Sequence, residues 1–159
     1  MDALEFLMQC RAIPRLASYG MTKIKNYWLM KSEPDVYSWD DLVAEGEGTW
    51  DGVRNYTARL HLRAMKKGDL VFFYHSNIGV EIVGIAEITE EGFQDPTDET
   101  GRWTSVKLKP VRKLKRTVTL KEIKADPKLA DMDLLTKFRL SVSTVKPEEW
   151  DYILKLAEG

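Results

Sequence analysis

The chain's 159 residues suit one domain with a substantial core, and 43% hydrophobic and 31% charged content is that of a globular protein. A net charge of −1 excludes whole-surface attraction to phosphate, so any nucleic-acid contact must use a local patch. One cysteine, Cys10, and two histidines, His61 and His75, exclude an internal disulfide framework, a multi-cysteine zinc site and a His-rich metal cluster, and no apolar run reaches membrane-spanning length.

The first twenty residues mix Leu4, Phe6, Leu7, Met8 and Ile13 with Arg11 and Arg15, while Asp2, Glu5 and Pro14 argue against a secretory signal or presequence. Residues 1–21 are expected to form a poorly ordered extension, leaving 22–159 as the domain. The run from Asn26 to Lys31 reads as a short buried strand, broken by Ser32-Glu33-Pro34-Asp35. Ser38 then caps a short helix over Trp39 to Ala44, with Asp40 and Asp41 in its first turn, and Gly46 to Gly48 reads as a loop.

Trp50 to Arg63 is the most informative stretch. It opens on an aromatic ring, crosses Gly52, and presents Arg54 and Asn55 at the start of a helix bearing Ala58, Leu62 and Met65 at helical spacing. Ring, fork-shaped cation and amide together can stack on a planar ligand and read its edge; they equally describe a core Trp, a surface Arg and an ordinary cap.

Leu70 to Tyr74 is a strong buried strand ending at His75-Ser76. A turn over Asn77 to Gly79 leads to a partner strand, Val80 to Ile88, in which Gly84 predicts a bulge or close backbone approach. Glu90 to Arg102 reads as a mobile polar loop and Trp103 to Arg112 as a further strand. Lys107 to Arg116 is the most basic segment, which suits either a solvated edge strand or a phosphate-facing rim. Thr119 and Glu122 form a capping box, Pro127 a stop, Asp133 a short helix through Phe138, and Arg139 to Val145 a final strand. Pro147 opens a last helix whose Trp150, Ile153, Leu154 and Ala157 share a core face. Five to six short strands with helices inserted among them predict an α+β class and a small mixed β-barrel or strongly curved sheet.

Phosphate-binding glycine loops, nucleophile elbows and metal-ligand spacings are all absent, so the chain reads as a binder with no cofactor rather than a catalyst. What remains are rings beside polar groups at element ends: Tyr37 and Trp39, Trp50 beside Gly52, and Tyr74 before His75 and Ser76. Each alone suits core packing; together they could converge on a pocket at a barrel mouth.

Three groups of motifs carry a resemblance to a known family: Trp28 to Pro34 with Tyr37-Ser38; Trp50 to Tyr56 with Ala58-Arg59; and Lys67-Gly68-Asp69 followed by Phe72 to Ser76. With Val83 to Ala86, Asp95-Pro96-Thr97 and Arg139 to Val142, they resemble the EVE domain family of the PUA-like superfamily, in order, from Asn26 to Ala157. One departure is Leu60, where the family tends to carry a polar residue.

The resemblance implies a PUA-like barrel whose pocket accepts a modified base, with modified cytosine in DNA favoured; the related YTH domains read methylated adenine in RNA. Such a reader extrudes the nucleotide and offsets unstacking with its own rings. Carried onto this sequence, Trp50 and Tyr37 are the stacking candidates, with Trp39 beside them. Ser32, Glu33, Pro34 and Asn55 would read the edge, Gly52 and Val53 form one wall, and Tyr74, His75 and Ser76 another. Arg54 and Arg59 would hold phosphate or lock the loop, and Lys107, Lys109, Arg112 and Lys113 would touch the nucleic-acid backbone. The alternatives are a modified-RNA reader and a small hydrolase of modified nucleosides using Lys31 and Glu33. The expected compartment is cytoplasmic, or nuclear in a eukaryote, with no membrane or metal partner.

Overall fold

The computed structural model of the chain describes residues 26–158, so the expected 1–21 extension and Cys10 lie outside the described residues. Six strands, β1 (Tyr27–Ser32), β2 (Gly48–Trp50), β3 (Leu70–His75), β4 (Glu81–Gln94), β5 (Thr104–Thr119) and β6 (Val142–Val145), form one sheet in the order β2-β5-β4-β3-β1-β6. Only β1 and β3 among these neighbours run parallel. Helices α1 (Trp39–Glu45), α2 (Tyr56–Ala64), α3 (Leu120–Ala125) and α4 (Asp133–Thr136) fill the connections, and α5 (Pro147–Glu158) follows the last strand.

The α+β class and PUA-like architecture hold, but the sheet does not close into a barrel. Strands β2 and β6 are its two edges, three and four residues long, each paired on one side only. The long β4–β5 ladder carries four register breaks, between Ile82 and Gly84, Ile85 and Ala86, Ile88 and Glu90, and Glu90 and Phe93. Bulges of this kind bend a strand and increase its twist.

Strand alternation divides the core in two. Trp28, Met30, Val71 and Phe73 face one cluster with α1 and α2, whereas Leu29, Phe72 and Tyr74 face another with α3 and α5. Because β1 and β3 are buried on both faces, they read in the sequence as unbroken apolar runs. Gly84 belongs to the first cluster's wall: a Cβ there would lie 2.6 Å from the Trp39 ring. This is the close approach that the glycine in the strand predicts.

Local signals set the helix starts. Ser38 caps α1 in a capping box with Asp41, Thr119 caps α3 in another with Glu122, and the Asn55 side chain accepts from the Ala58 amide. Asp69, 3% exposed, accepts from the Trp28 indole at 3.0 Å and the Lys66 amide at 2.9 Å, tying β1 to the end of α2.

Candidate functional site

A cleft of about 560 Å³ opens where the sheet fails to close. Its walls come from the end of β1, the turn into α1, the end of β2 and its following loop, Ser76, and the segment entering β6. Edge strand β2 supplies Thr49 and Trp50, and the approach to edge strand β6 supplies Phe138, Arg139 and Ser141. The volume lies in the range of small-ligand sites.

Trp50 pairs with Val106 across the ladder and is 8% exposed, so its indole belongs to both the core and the cleft. It meets Tyr37 edge-on at 6.3 Å and Phe73 edge-on at 5.5 Å. These T-shaped contacts are favourable aromatic geometry and fix the indole plane. A Cβ at Gly48 would collide with the Tyr37 hydroxyl, so that glycine lets Tyr37 lie against β2. The hydroxyl donates to Glu45; burial, followed by that bond, pushes the phenol's pKa upward and keeps it neutral.

The loop after β2 is held by a buried carboxylate. Gly52, at φ +77°, donates its amide to Asp95 at 2.8 Å. Arg54 donates to Asp95 at 2.9 Å and to Thr97 Oγ1 at 3.0 Å, while its guanidinium lies 5.5 Å from the Trp103 ring. Thr97 gives its amide and hydroxyl to the other Asp95 oxygen, both at 2.7 Å. Burial alone would raise the Asp95 pKa, but bonds from Thr97, Arg54 and Gly52 outweigh it and hold the group below its ordinary range. Arg54 is thus a loop lock, and its partner is Asp95.

Across the cleft, Ser32 donates to the Tyr37 carbonyl at 2.6 Å, and the amides of Val36 and Tyr37 donate to the Glu33 carbonyl at 2.9 and 2.8 Å. This turn leaves the Glu33 side chain at the exposed rim. Lys31 donates from Nζ to the Phe138 carbonyl at 2.6 Å, and burial lowers its pKa.

A sequence profile of the EVE domain matches residues 26–156. The chain belongs to the EVE domain family. Thymocyte nuclear protein 1 of Mus musculus is 39% identical over 173 residues, spanning 87% of this chain and 76% of that protein. The solution structure of Rpa0253 from Rhodopseudomonas palustris superposes with a TM-score of 0.79 at 52% identity, covering 83% of this chain and 92% of its own. Human THYN1, crystallised in complex with 5-methylcytosine-containing DNA, superposes with a TM-score of 0.80 at 36% identity, covering 85% and 99%.

In this EVE domain the cleft brings together Ser32, Glu33, Tyr37, Trp50, Gly52, Val53, Arg54 and Ser76. Five of the expected pocket residues stand elsewhere. Pro34 shapes the turn without lining the cleft. Trp39 is a core residue, 4% exposed and seated on Gly84, because the first position of α1 faces the sheet. Tyr74 follows inward-facing Phe73 and therefore points to the opposite core, where burial raises its phenol to about 12. His75 accepts the Trp39 amide at Nε2, 3.0 Å away, so it holds the start of α1; burial lowers its pKa and favours the neutral acceptor form. Asn55 spends its side chain on the α2 cap and lines a neighbouring cavity.

The remaining cations also have structural partners. Arg59 sits 4.8 Å from the Tyr56 ring and 5.2 Å from Trp103, and donates to the Arg102 carbonyl at 2.7 Å. Lys107 faces Glu90 and Lys109 faces Glu87, each at 3.9 Å, and Arg112 pairs with Glu158 at 3.0 Å. None of these lines the cleft, nor does exposed Lys113. Sequence reasoning left Val36, Thr49, Asp51, Phe138, Arg139 and Ser141 out of the pocket. A ring between two cations, Lys137-Phe138-Arg139, was the available signal. Among the described residues no helix is long and apolar enough to cross a membrane, and no cluster of His, Cys, Asp and Glu suits a metal ion.

Proposed function

We propose that this EVE domain is a non-catalytic reader of a modified base in nucleic acid, with modified cytosine in DNA the favoured target. One observation carries the reading: a cleft roomy enough for a nucleotide, with an indole in its wall and carboxylates at its rim, in a domain whose human relative was crystallised with 5-methylcytosine DNA. Trp50 and Tyr37 supply the aromatic surface for the flipped base. Glu33 and Asp51 are acceptors suited to the exocyclic amine of cytosine, whereas Lys31 is a donor suited to its carbonyl or ring nitrogen. Stacking is worth roughly 1–3 kcal/mol per base. A buried methyl adds only about 0.8 kcal/mol, so edge recognition must supply much of the selectivity. A nuclear compartment follows for a eukaryotic source, by analogy with the name of the mouse relative.

Equilibrium binding to matched strands with cytosine or 5-methylcytosine, as DNA and as RNA and at fixed salt, tests this reading. Wild type should prefer the methylated DNA, and Glu33→Gln at the rim should bind it less tightly without unfolding. Equal binding to methylated and plain strands would reject it. A second reading, hydrolysis of modified nucleosides, draws on the half-buried Lys31 amine in the cleft. Release of free base that stops in Lys31→Ala would favour it.

A further inference from the structure

Phe138 is 67% exposed, at the tip of the segment between α4 and β6. Folding gives no reason for a phenyl ring there, since neither core cluster includes it. Its backbone, by contrast, is fixed: Lys31 Nζ reaches its carbonyl at 2.6 Å, and the Leu140 amide donates to the Lys137 carbonyl at 2.9 Å. The Arg139 guanidinium lies 5.7 Å from the ring.

Phe138 and Arg139 line two cavities, the cleft already described and a second of about 510 Å³ that also holds Thr57, Thr136 and Lys137. Phe138 therefore borders two spaces, each roomy enough for a nucleotide's base. Most of the second's lining surface is apolar, as a stacked base requires, and Thr57, Thr136, Lys137 and Arg139 add hydroxyls and cations that a sugar-phosphate can use. Exposed apolar side chains of this kind enter or cover base stacks when a duplex is opened.

We propose that Phe138 stacks on the nucleotide flanking the extruded base and separates the two, with the flanking nucleotide seated in the second cavity and its phosphate toward Lys137 and Arg139. This rests on the base-reading function but involves different residues. Stacking of this type is sequence-tolerant, so the flanking site would add affinity without demanding a particular neighbour.

The test is a cycle between protein and ligand, using short single strands with one central 5-methylcytosine and an abasic spacer on its 5′ or 3′ side. Phe138→Ala should weaken binding to the intact strand about tenfold, within the range for loss of one base–aromatic stack. One of the two spacers should weaken wild-type binding comparably, and the two changes together should cost little more than either alone. Phe138→Trp should restore affinity. Losses that simply add for both spacers, or no loss in Phe138→Ala, would overturn the proposal. The preference of wild type for methylated over plain strands is read separately: its absence rejects base reading, whereas the cycle reports on Phe138 whichever base is central.

Discussion

The two walls of the cleft are built on opposite plans. The Trp50–Arg54 wall is fastened by Asp95, fully buried and joined to Gly52, Arg54 and Thr97. The Lys137–Ser141 wall is fastened through its backbone, by Lys31 at one carbonyl and by the Lys31 amide to the Ser141 carbonyl at 2.9 Å, while its most prominent side chain faces solvent. The difference teaches where each wall's energy lies. One spends its polar groups on shape, so substitutions there should cost stability and binding together. The other spends them on presentation, so its ring can be changed with little effect on folding.

Asp95→Ala should break this contrast most severely. It strips acceptors from two part-buried amides, a hydroxyl and a guanidinium, and should destabilise the fold by about 2–3 kcal/mol in urea unfolding, discounted because Arg54 is partly exposed. Gly84→Ala comes next: a Cβ 2.6 Å from the Trp39 ring should cost about 2 kcal/mol through overpacking. Lys31→Met removes one half-buried bond to the Phe138 carbonyl and should cost about 1 kcal/mol while loosening the second wall, seen as faster amide exchange at Phe138 and Arg139. Phe138→Ala should shift stability by less than about 0.5 kcal/mol, as an exposed substitution does.

Acid should loosen the first wall's surroundings. Asp98, beside it, accepts from the Thr100 hydroxyl and amide and the Trp103 amide, and the Thr100 hydroxyl bond does most to bring its pKa down from 3.8 to about 2. Its folded-state pKa is depressed, so the unfolded chain takes up the proton first. The contribution is full above about pH 5 and is lost as pH falls through about 4 toward about 2. Asp95 acts in the same direction. A urea midpoint followed between pH 6 and pH 2 should fall across that acid range, with a shallower fall in Asp98→Asn.

Much of the fold is local enough to be legible. The Ser38 and Asn55 caps, the Thr119 capping box and the Trp150 core face are each written within a few residues, and the structure places them as read. Strand β2 was hidden because three residues carry no periodicity, and β4 runs on to Gln94 through Glu90 and Glu91 because that end is solvated. The stretch to Arg102 looked like a mobile loop because Asp and Thr favour turns. Yet Asp95 and Asp98 are buried, and the partners that decide this for Asp95, Gly52 and Arg54, lie 43 and 41 residues away. A longer separation, 107 residues between Lys31 and Phe138, hid the site's second wall. Cleft-lining Trp50 was legible from its loop, whereas Tyr74 and His75 resemble pocket residues until the alternation of β3 is fixed by its neighbours.

The brevity of β2 sets a rule about parity. Gly48 and Trp50 share a face, and the ladder fixes that face through Leu108 and Val106. Successive side chains in a strand point to opposite sides, so inserting one residue between them would rotate the indole away from the cleft. Inserting two would return it to its side but lift it beyond Phe73 and Tyr37. Across this family, length changes should therefore collect in the loops on either side of the strand and leave its count of residues alone.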